Sequence, residues 1–174
     1  MTEHAVLPML FTGYDEAWSR LRARLVGLTQ EEYLWEPVTP AWTVRDIDGT
    51  WTVDSANPDP DPAPVTTIAW RLWHIAAFCL DGYLSEIPGG CPLTVKGSQW
   101  HGDVESALRD LRTAVDAFRS QLTALGEDGI RTKLGPKWGP YAEATHADLV
   151  VHALDELAHH GAEIALLRDL YRAR

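Results

Sequence analysis

A short segment near the C-terminal end, HALDELAHHGAEI at residues 152–164, concentrates the side chains with the greatest potential for chemistry. Neutral imidazole and carboxylate groups are common zinc ligands in proteins. The same groups on the outside of a helix would be an ordinary solvated surface. The segment contains six titratable side chains, namely His152, Asp155, Glu156, His159, His160 and Glu163.

The apolar periodicity of this helix indicates which of the six side chains point inward. Inward positions recur at spacings of three and four residues. They fall on Leu149, Ala153, Glu156, His160, Ile164, Leu167 and Tyr171. Each residue turns the helix by about 100°, so these positions define one inward face. Glu163 lies near the border of that face, and His152, Asp155 and His159 lie at its edge or outside it. We therefore expect Glu156 and His160 to be substantially buried.

Two interpretations of the inward pair Glu156 and His160 stay open. A buried carboxylate is costly unless it is paired, and side chains at positions i and i+4 can meet above one helical turn. The two groups can form a hydrogen-bonded core pair, or they can be two ligands of a divalent metal. A metal site needs a third ligand from another helix, and His74 is the candidate because it is the histidine inside the second predicted helix.

The second predicted helix, at about residues 65–83, is apolar almost all round. Its polar interruptions form a seam that either faces a site or faces solvent, and both alternatives stay open. Cys79 in the same run is interpreted as a small core residue. The seam consists of Thr67, Arg71, His74, Phe78 and Asp81.

Four amphipathic segments predict the fold class. Helices over residues 13–28, 65–83, 103–125 and 145–171 indicate an all-α, antiparallel four-helix bundle. Alternating aromatic and β-branched residues around Asp48-Gly49 predict a small β-hairpin. This hairpin and the proline-rich stretch after it form a long connection between helices one and two. No internal repeat is visible, so we expect a single domain over residues 1–174.

Composition and charge exclude several classes of partner. The formal net charge is −10 and the basic residues are scattered, so nucleic acid is not expected to bind. No apolar run reaches the length of a membrane span, and the start lacks the pattern of a secretory signal. Two cysteines are too few for a disulfide framework. We therefore expect a cytoplasmic protein.

The segments around the candidate ligands resemble the DinB-like superfamily, which includes the mycothiol-dependent maleylpyruvate isomerases and the bacillithiol transferases. AWRLWHIAAF resembles the family's helix-two segment, and ELAHHGAEI resembles the C-terminal segment, where many members have His-x-x-x-His, two variable residues and Gln-Ile. Glu156 replaces the first histidine, as in the maleylpyruvate isomerase branch. KLGPKWGPYAEAT and ALLRDLY are also similar to the family. The resemblance implies a metal site formed by His74, Glu156 and His160.

The resemblance implies a divalent metal, zinc or alternatively nickel, that activates a thiol. Three protein ligands leave a position open, as in catalytic zinc sites, and a thiol bound there is deprotonated. Family members use mycothiol, bacillithiol or glutathione, which implies S-transfer to a small electrophile or thiol-assisted isomerisation. Hydrolysis at the same site and a non-catalytic, ligand-binding bundle remain the alternatives. The sequence leaves the oligomeric state open, and a homodimer is one candidate because related bundles often pair.

Further residues are candidates for the surroundings of the site. Ligand histidines usually donate their second N–H to a carboxylate or carbonyl, and Asp81 and Glu163 are candidate acceptors, although both can instead be solvated. Pockets are usually lined by connecting segments, where aromatic side chains can bind substrate or simply cap the helices. The candidate substrate-pocket residues are Arg71, Trp100, Trp138 and Tyr141.

Overall fold

The computed structural model describes residues 5–58, 60–90 and 97–174. The described residues are mostly helical, with one small antiparallel sheet. In chain order the elements are α1 (Leu7–Leu25), α2 (Gln30–Leu34), β1 (Val44–Ile47), β2 (Thr50–Val53), α3 (Ile68–Trp73), a π-helical segment (His74–Asp81), α4 (Gly82–Leu84), α5 (Val104–Ile130), a 3₁₀ helix (Pro136–Tyr141) and α6 (His146–Ala173).

The long helices α1, α5 and α6 follow the predicted periodicity, with differences at their ends. α1 begins six residues before the predicted start because Pro8 occupies its first turn, where the missing N–H costs nothing. Gly126 interrupts α5 at φ 70°, where the sequence predicts its end, but helical residues continue to Ile130. α6 begins with the expected capping box, in which Thr145 and Asp148 satisfy each other's backbone N–H groups.

The β-hairpin is confirmed, and its turn explains why the chain reverses there. Val44 pairs with Val53 in antiparallel register, and Ile47 pairs with Thr50. Asp48 and Gly49 both have positive φ, of 52° and 83°, as a two-residue hairpin turn of the I′ type requires.

The second predicted helix differs most from the expectation. Thr67 caps it by accepting a hydrogen bond from the backbone N–H of Trp70. The α-helical spacing then changes to π-helical spacing from His74 to Asp81. The π-helical segment packs against α5 and α6, and α1 packs along α6. In the part of the chain that is described, every helix is too short or too polar to cross a bilayer.

A buried ion pair joins α6 to the end of α1 and to α2. Arg168 is 1% exposed, and its guanidinium donates to Glu32 at 3.1 and 2.8 Å. The same group donates to the carbonyl oxygens of Val26 and Gly27, each at 2.9 Å. Because these carbonyls follow the last turn of α1, Arg168 satisfies acceptors that the helix itself leaves without a partner.

Acidification should weaken this ion pair. Burial opposes ionisation of Glu32, but Arg168 and the Thr29 N–H outweigh it and lower its pKa. Because the folded-state pKa lies below the unfolded value of about 4.3, the stabilisation is complete above that pH and is lost as the pH falls through the folded value. In urea unfolding at about pH 7 and about pH 3, Glu32→Gln should lose less unfolding free energy on acidification than wild type. Equal losses would contradict this assignment.

Candidate metal centre

His74, Glu156 and His160 come together where the π-helical segment meets α6. Oε2 of Glu156 lies 3.2 Å from Nε2 of His74 and 2.9 Å from Nε2 of His160. The centroids of the two imidazole rings are 4.7 Å apart, and the rings are nearly perpendicular. The side chains of His74, Glu156 and His160 are 18%, 13% and 8% exposed. The prediction that Glu156 and His160 are substantially buried therefore agrees with the structure.

The Glu156 carboxylate has the properties of a metal ligand. Its buried Oε2 atom lies close to two imidazole nitrogens but makes no hydrogen bond of ordinary geometry. Burial opposes ionisation, but the imidazoles of His160 and His74 outweigh it and hold the pKa of Glu156 well below its usual range. Donors bonded tetrahedrally to zinc at about 2.0–2.1 Å lie roughly 3.3 Å apart. The separations of Glu156 Oε2 from the two imidazole nitrogens, 3.2 and 2.9 Å, are close to that value, so this carboxylate oxygen can share a divalent cation with each imidazole.

The second nitrogen of His160 is held by Glu163 and Arg71. Nδ1 of His160 lies 2.6 Å from Oε2 of Glu163, and Nε of Arg71 lies 2.9 Å from the same oxygen. When Nδ1 donates its proton to Glu163, the lone pair of Nε2 is directed towards Glu156 and His74. Asp81, the other predicted partner of a ligand histidine, is buried at the last position of the π-helical segment.

Replacing Glu163 should weaken metal binding without abolishing it. Glu163→Gln removes the charged acceptor that orients His160, and such outer contacts typically change metal affinity by about 10- to 100-fold. Calorimetric zinc titration should therefore show an affinity about tenfold lower or weaker still. Asp155→Asn is the matched control, because Asp155 is exposed on the same helix. An unchanged affinity in Glu163→Gln would contradict the role of Glu163.

His74 is fixed by aromatic side chains on both faces of its ring. The ring stacks on Trp70 and on Phe78, each with centroids 5.1 Å apart. The indole N–H of Trp70 donates to the backbone carbonyl of Asp54 at 2.9 Å. The residues that follow the hairpin thus determine where His74 lies, which gives the long connection a role in positioning the site.

The structure also brings together residues that the sequence pattern did not indicate. His152 has a 56% exposed side chain, yet its Nε2 lies 3.1 Å from Oε1 of Glu156. Its Nδ1 lies 3.1 Å from the hydroxyl of Tyr83. Periodicity correctly places His152 outside the core, but a long side chain at the edge of a helix can still reach an inward carboxylate one turn away.

Two groups of donor atoms in the described residues have metal-ligand spacing. The donor atoms of His74, Cys79 and Glu156 lie within 4.8 Å of one another, and so do those of His159, His160 and Glu163. In the second group, His159 is exposed, and Arg71 already places a positive charge beside Glu163. The first group is therefore the better cation site. It contains the predicted ligands His74 and Glu156, whereas the third, His160, belongs to the second group and reaches the site through its contact with Oε2 of Glu156.

Two cavities lie near the site: one has His74 on its wall, and the other is lined by His152, which contacts Glu156. The aromatic cavity, of about 430 Å³, is lined by Tyr83, Trp138, Tyr141, Leu149 and His152, among others. The linker cavity, of about 350 Å³, has His74 and Arg71 on its wall, with Trp42, Trp70, Trp73, Phe78 and residues of the proline-rich connection. The proline-rich connection therefore lines the site as well as joining two helices.

The four residues predicted to line a substrate pocket lie in three different cavities. Trp138 and Tyr141 share the aromatic cavity, and Arg71 lines the linker cavity. Trp100 lies apart from them, buried beside the hairpin in a cavity that it shares with Trp51 and His101. Its position in the chain before α5 suggests a pocket residue, but the backbone pairing of Trp100 with Trp51 directs it to the hairpin.

Comparison with known proteins agrees with this architecture. A solved structure described as the conserved protein of locus from Enterococcus faecalis superposes with a TM-score of 0.67, covering 99% of this chain and 100% of that chain at 17% identity. At that identity the likeness shows the fold alone. No curated protein gives a significant match. The sequence profile of the DinB superfamily matches residues 14–164, and the chain therefore belongs to the DinB superfamily.

Proposed function

We propose that this protein is a metal-dependent enzyme in which a divalent cation, held by His74, Glu156 and His160, activates a low-molecular-weight thiol for attack on a small electrophile. The observation that carries the proposal is the buried Oε2 atom of Glu156, which contacts two imidazole nitrogens without a hydrogen bond. Zinc fits this nitrogen and oxygen donor set, and nickel is the alternative. Membership of the DinB superfamily supports a metal site at this position.

The charges around the site favour the thiolate form of a substrate. A divalent cation with one carboxylate and two neutral imidazoles keeps one net positive charge, and when bound it lowers the pKa of a thiol ligand. In the tautomer in which Nδ1 of His160 donates to Glu163, the lone pair of Nε2 is free to bind the cation. His152 contacts Glu156 and is exposed, which suits it to pass the thiol proton to solvent.

The two cavities can hold the two reactants. Arg71 lies on the wall of the linker cavity beside His74 and also pairs with Glu163, and a thiol that carries carboxylates can bind its guanidinium in place of that partner. The aromatic cavity is mostly apolar apart from Asp148 and His152, which suits a neutral, conjugated electrophile. Because both cavities border residues in contact with Glu156, the reacting atoms of the two molecules can meet at the metal centre.

A thiol panel tests this proposal. Zinc-loaded protein without a histidine tag is incubated with 1-chloro-2,4-dinitrobenzene and, separately, with mycothiol, bacillithiol or glutathione. We expect turnover above the uncatalysed rate with at least one thiol, and loss of that turnover in His160→Ala. Asp155→Asn is the control that should keep full activity. Absence of turnover with every thiol would contradict this proposal, and ester hydrolysis without any thiol would favour the metal-dependent hydrolase.

A non-catalytic protein is the remaining alternative, with Glu156 and His160 as a core pair and the cavities as a ligand-binding site. It predicts that purified protein retains no metal and that zinc does not raise its melting temperature.

We also propose that the four long helical units form an antiparallel bundle, because α1 packs on α5 and α6 and the π-helical segment packs on the same two helices. A cytoplasmic location and a homodimer stay predictions, and gel filtration with light scattering would test the second.

A further inference from the structure

The π-helical segment changes which side chains share a face with His74. In an α-helix, residues five apart point about 140° away from each other, because each residue turns the chain by about 100°. In a π-helix the backbone hydrogen bonds run between residues five apart, and the wider turn brings such residues to the same side of the helix. His74 and Cys79 are five apart, and they are the first and sixth residues of this segment. π-Helical turns of this kind are frequent at functional sites.

Cys79 lies on the buried side of the segment and is 2% exposed. Phe78, whose ring stacks on that of His74, is 61% exposed. The donor atoms of His74, Cys79 and Glu156 lie within 4.8 Å of one another. The Tyr83 hydroxyl and the Glu156 carboxylate are polar neighbours of the Cys79 thiol. Cys79 is therefore directed at the candidate metal centre and not only at the apolar core.

We propose that Cys79 is a fourth protein ligand of the divalent cation that His74, Glu156 and His160 hold. This inference rests on the metal site of the proposed function. When the cation binds, a metal–sulfur bond forms and the S–H bond of Cys79 breaks. The proton is released to solvent, for which His152 offers an exposed route through its contacts with Tyr83 and Glu156. A thiolate ligand also favours zinc over harder cations such as magnesium.

With Cys79 bound and no substrate present, the cation would have four protein ligands, which are one sulfur, two nitrogens and one oxygen. Closed four-ligand sites hold zinc tightly, and sites with three ligands keep a position for substrate. A substrate thiol would therefore exchange with Cys79 or bind as a fifth ligand. In either case Cys79 contributes to metal affinity. If the substrate thiol replaces Cys79 on the cation, the substrate thiol loses its proton and the released Cys79 thiolate takes up a proton.

Cobalt substitution tests the ligand directly, because a thiolate bound to cobalt(II) gives a charge-transfer absorption in the near ultraviolet that imidazole and carboxylate ligands do not give. Apoprotein without a histidine tag is titrated with cobalt(II) as wild type, as Cys79→Ser and as Cys91→Ser. Cys91 lies outside the described residues, and its variant is the matched control for the chain's other thiol. We expect the band in wild type and in Cys91→Ser, and its loss in Cys79→Ser with a cobalt affinity about tenfold lower or weaker.

The outcomes separate this inference from the proposed function. If wild-type protein binds cobalt but shows only the weak visible bands and no sulfur-to-cobalt band, Cys79 is not a ligand. The three-ligand site of the proposed function would then stand. A band that survives in Cys79→Ser, or disappears in Cys91→Ser, would also overturn it. No cobalt or zinc binding by wild type would contradict both proposals. If Cys79→Ser does not fold, the spectra of wild type and Cys91→Ser decide the question, because a band present in both is assigned to Cys79 and a band absent from either overturns the inference.

Discussion

Replacing Arg168 by methionine is expected to lower the free energy of unfolding by about 3–5 kcal/mol. Methionine fills most of the volume of the arginine stem but leaves Glu32 buried, at 3% exposure, without its ion-pair partner. It also leaves the backbone carbonyls of Val26 and Gly27 without the donors that satisfy them. A buried charge or acceptor that loses its partner keeps its full desolvation cost. Equilibrium urea denaturation followed by circular dichroism measures the effect.

Arg172→Met is the matched control for this substitution. Arg172 lies on the same helix and approaches the same carboxylate, with Nε 3.5 Å from Oε1 of Glu32, but its side chain is 54% exposed. Exposed ion pairs contribute about 0–1 kcal/mol, so we expect a loss of that size or smaller. Equal losses in the two variants would show that the buried network around Arg168 does not hold α6 to α1 and α2.

Replacing Glu156 by glutamine is expected to lower zinc affinity by about a hundredfold or more, beyond the range typical of outer contacts. Glutamine has nearly the same shape, so it keeps the packing between the π-helical segment and α6. It removes the negative charge that balances the cation and replaces a strong oxygen donor with a weak one. Competition titration against a chromophoric chelator measures the affinity of both proteins.

His159→Gln is the control for the loss of zinc affinity. His159 is adjacent to His160 in sequence and its ring stacks on that of His160, but it is 59% exposed and its ion-pair contact is with Glu163. We expect its zinc affinity to stay close to that of wild type. His152→Ala should have an intermediate effect because His152 contacts Oε1 of Glu156. Similar losses in all three variants would indicate diffuse binding by the histidine-rich helix instead of a defined site.

Periodicity in the sequence was sufficient to place Glu156 and His160 on the inward side of the last helix. A long amphipathic helix averages over many residues, so the direction of each side chain follows from the repeat. The same argument failed for the second helix, because it assumes α-helical spacing and this helix becomes π-helical at His74. A change of helix type depends on tertiary packing. Cys79 is buried, as the apolar run around it predicts, but its proximity to His74 and Glu156 was not visible in the sequence.

Contacts between residues that are far apart in the sequence were also not predictable from sequence patterns. Arg168 and Glu32 are 136 residues apart, and a polar residue in the last helix normally indicates a solvated face. The hairpin was predictable because its Asp48-Gly49 turn is local. The position of Trp100 was not, since it depends on the pairing of its backbone with Trp51 on another element. Local geometry was therefore predictable, whereas contacts between distant segments needed the structure.

The metal content of protein purified without a histidine tag tests the central assignment most directly. We expect elemental analysis to find close to one equivalent of zinc or nickel per chain in wild type and almost none in His160→Ala or His74→Ala, with both variants folded by circular dichroism. Wild-type protein that contains no metal and takes up none on dialysis against zinc, or variants that retain the full equivalent, would contradict the assignment of His74, Glu156 and His160 as one metal centre.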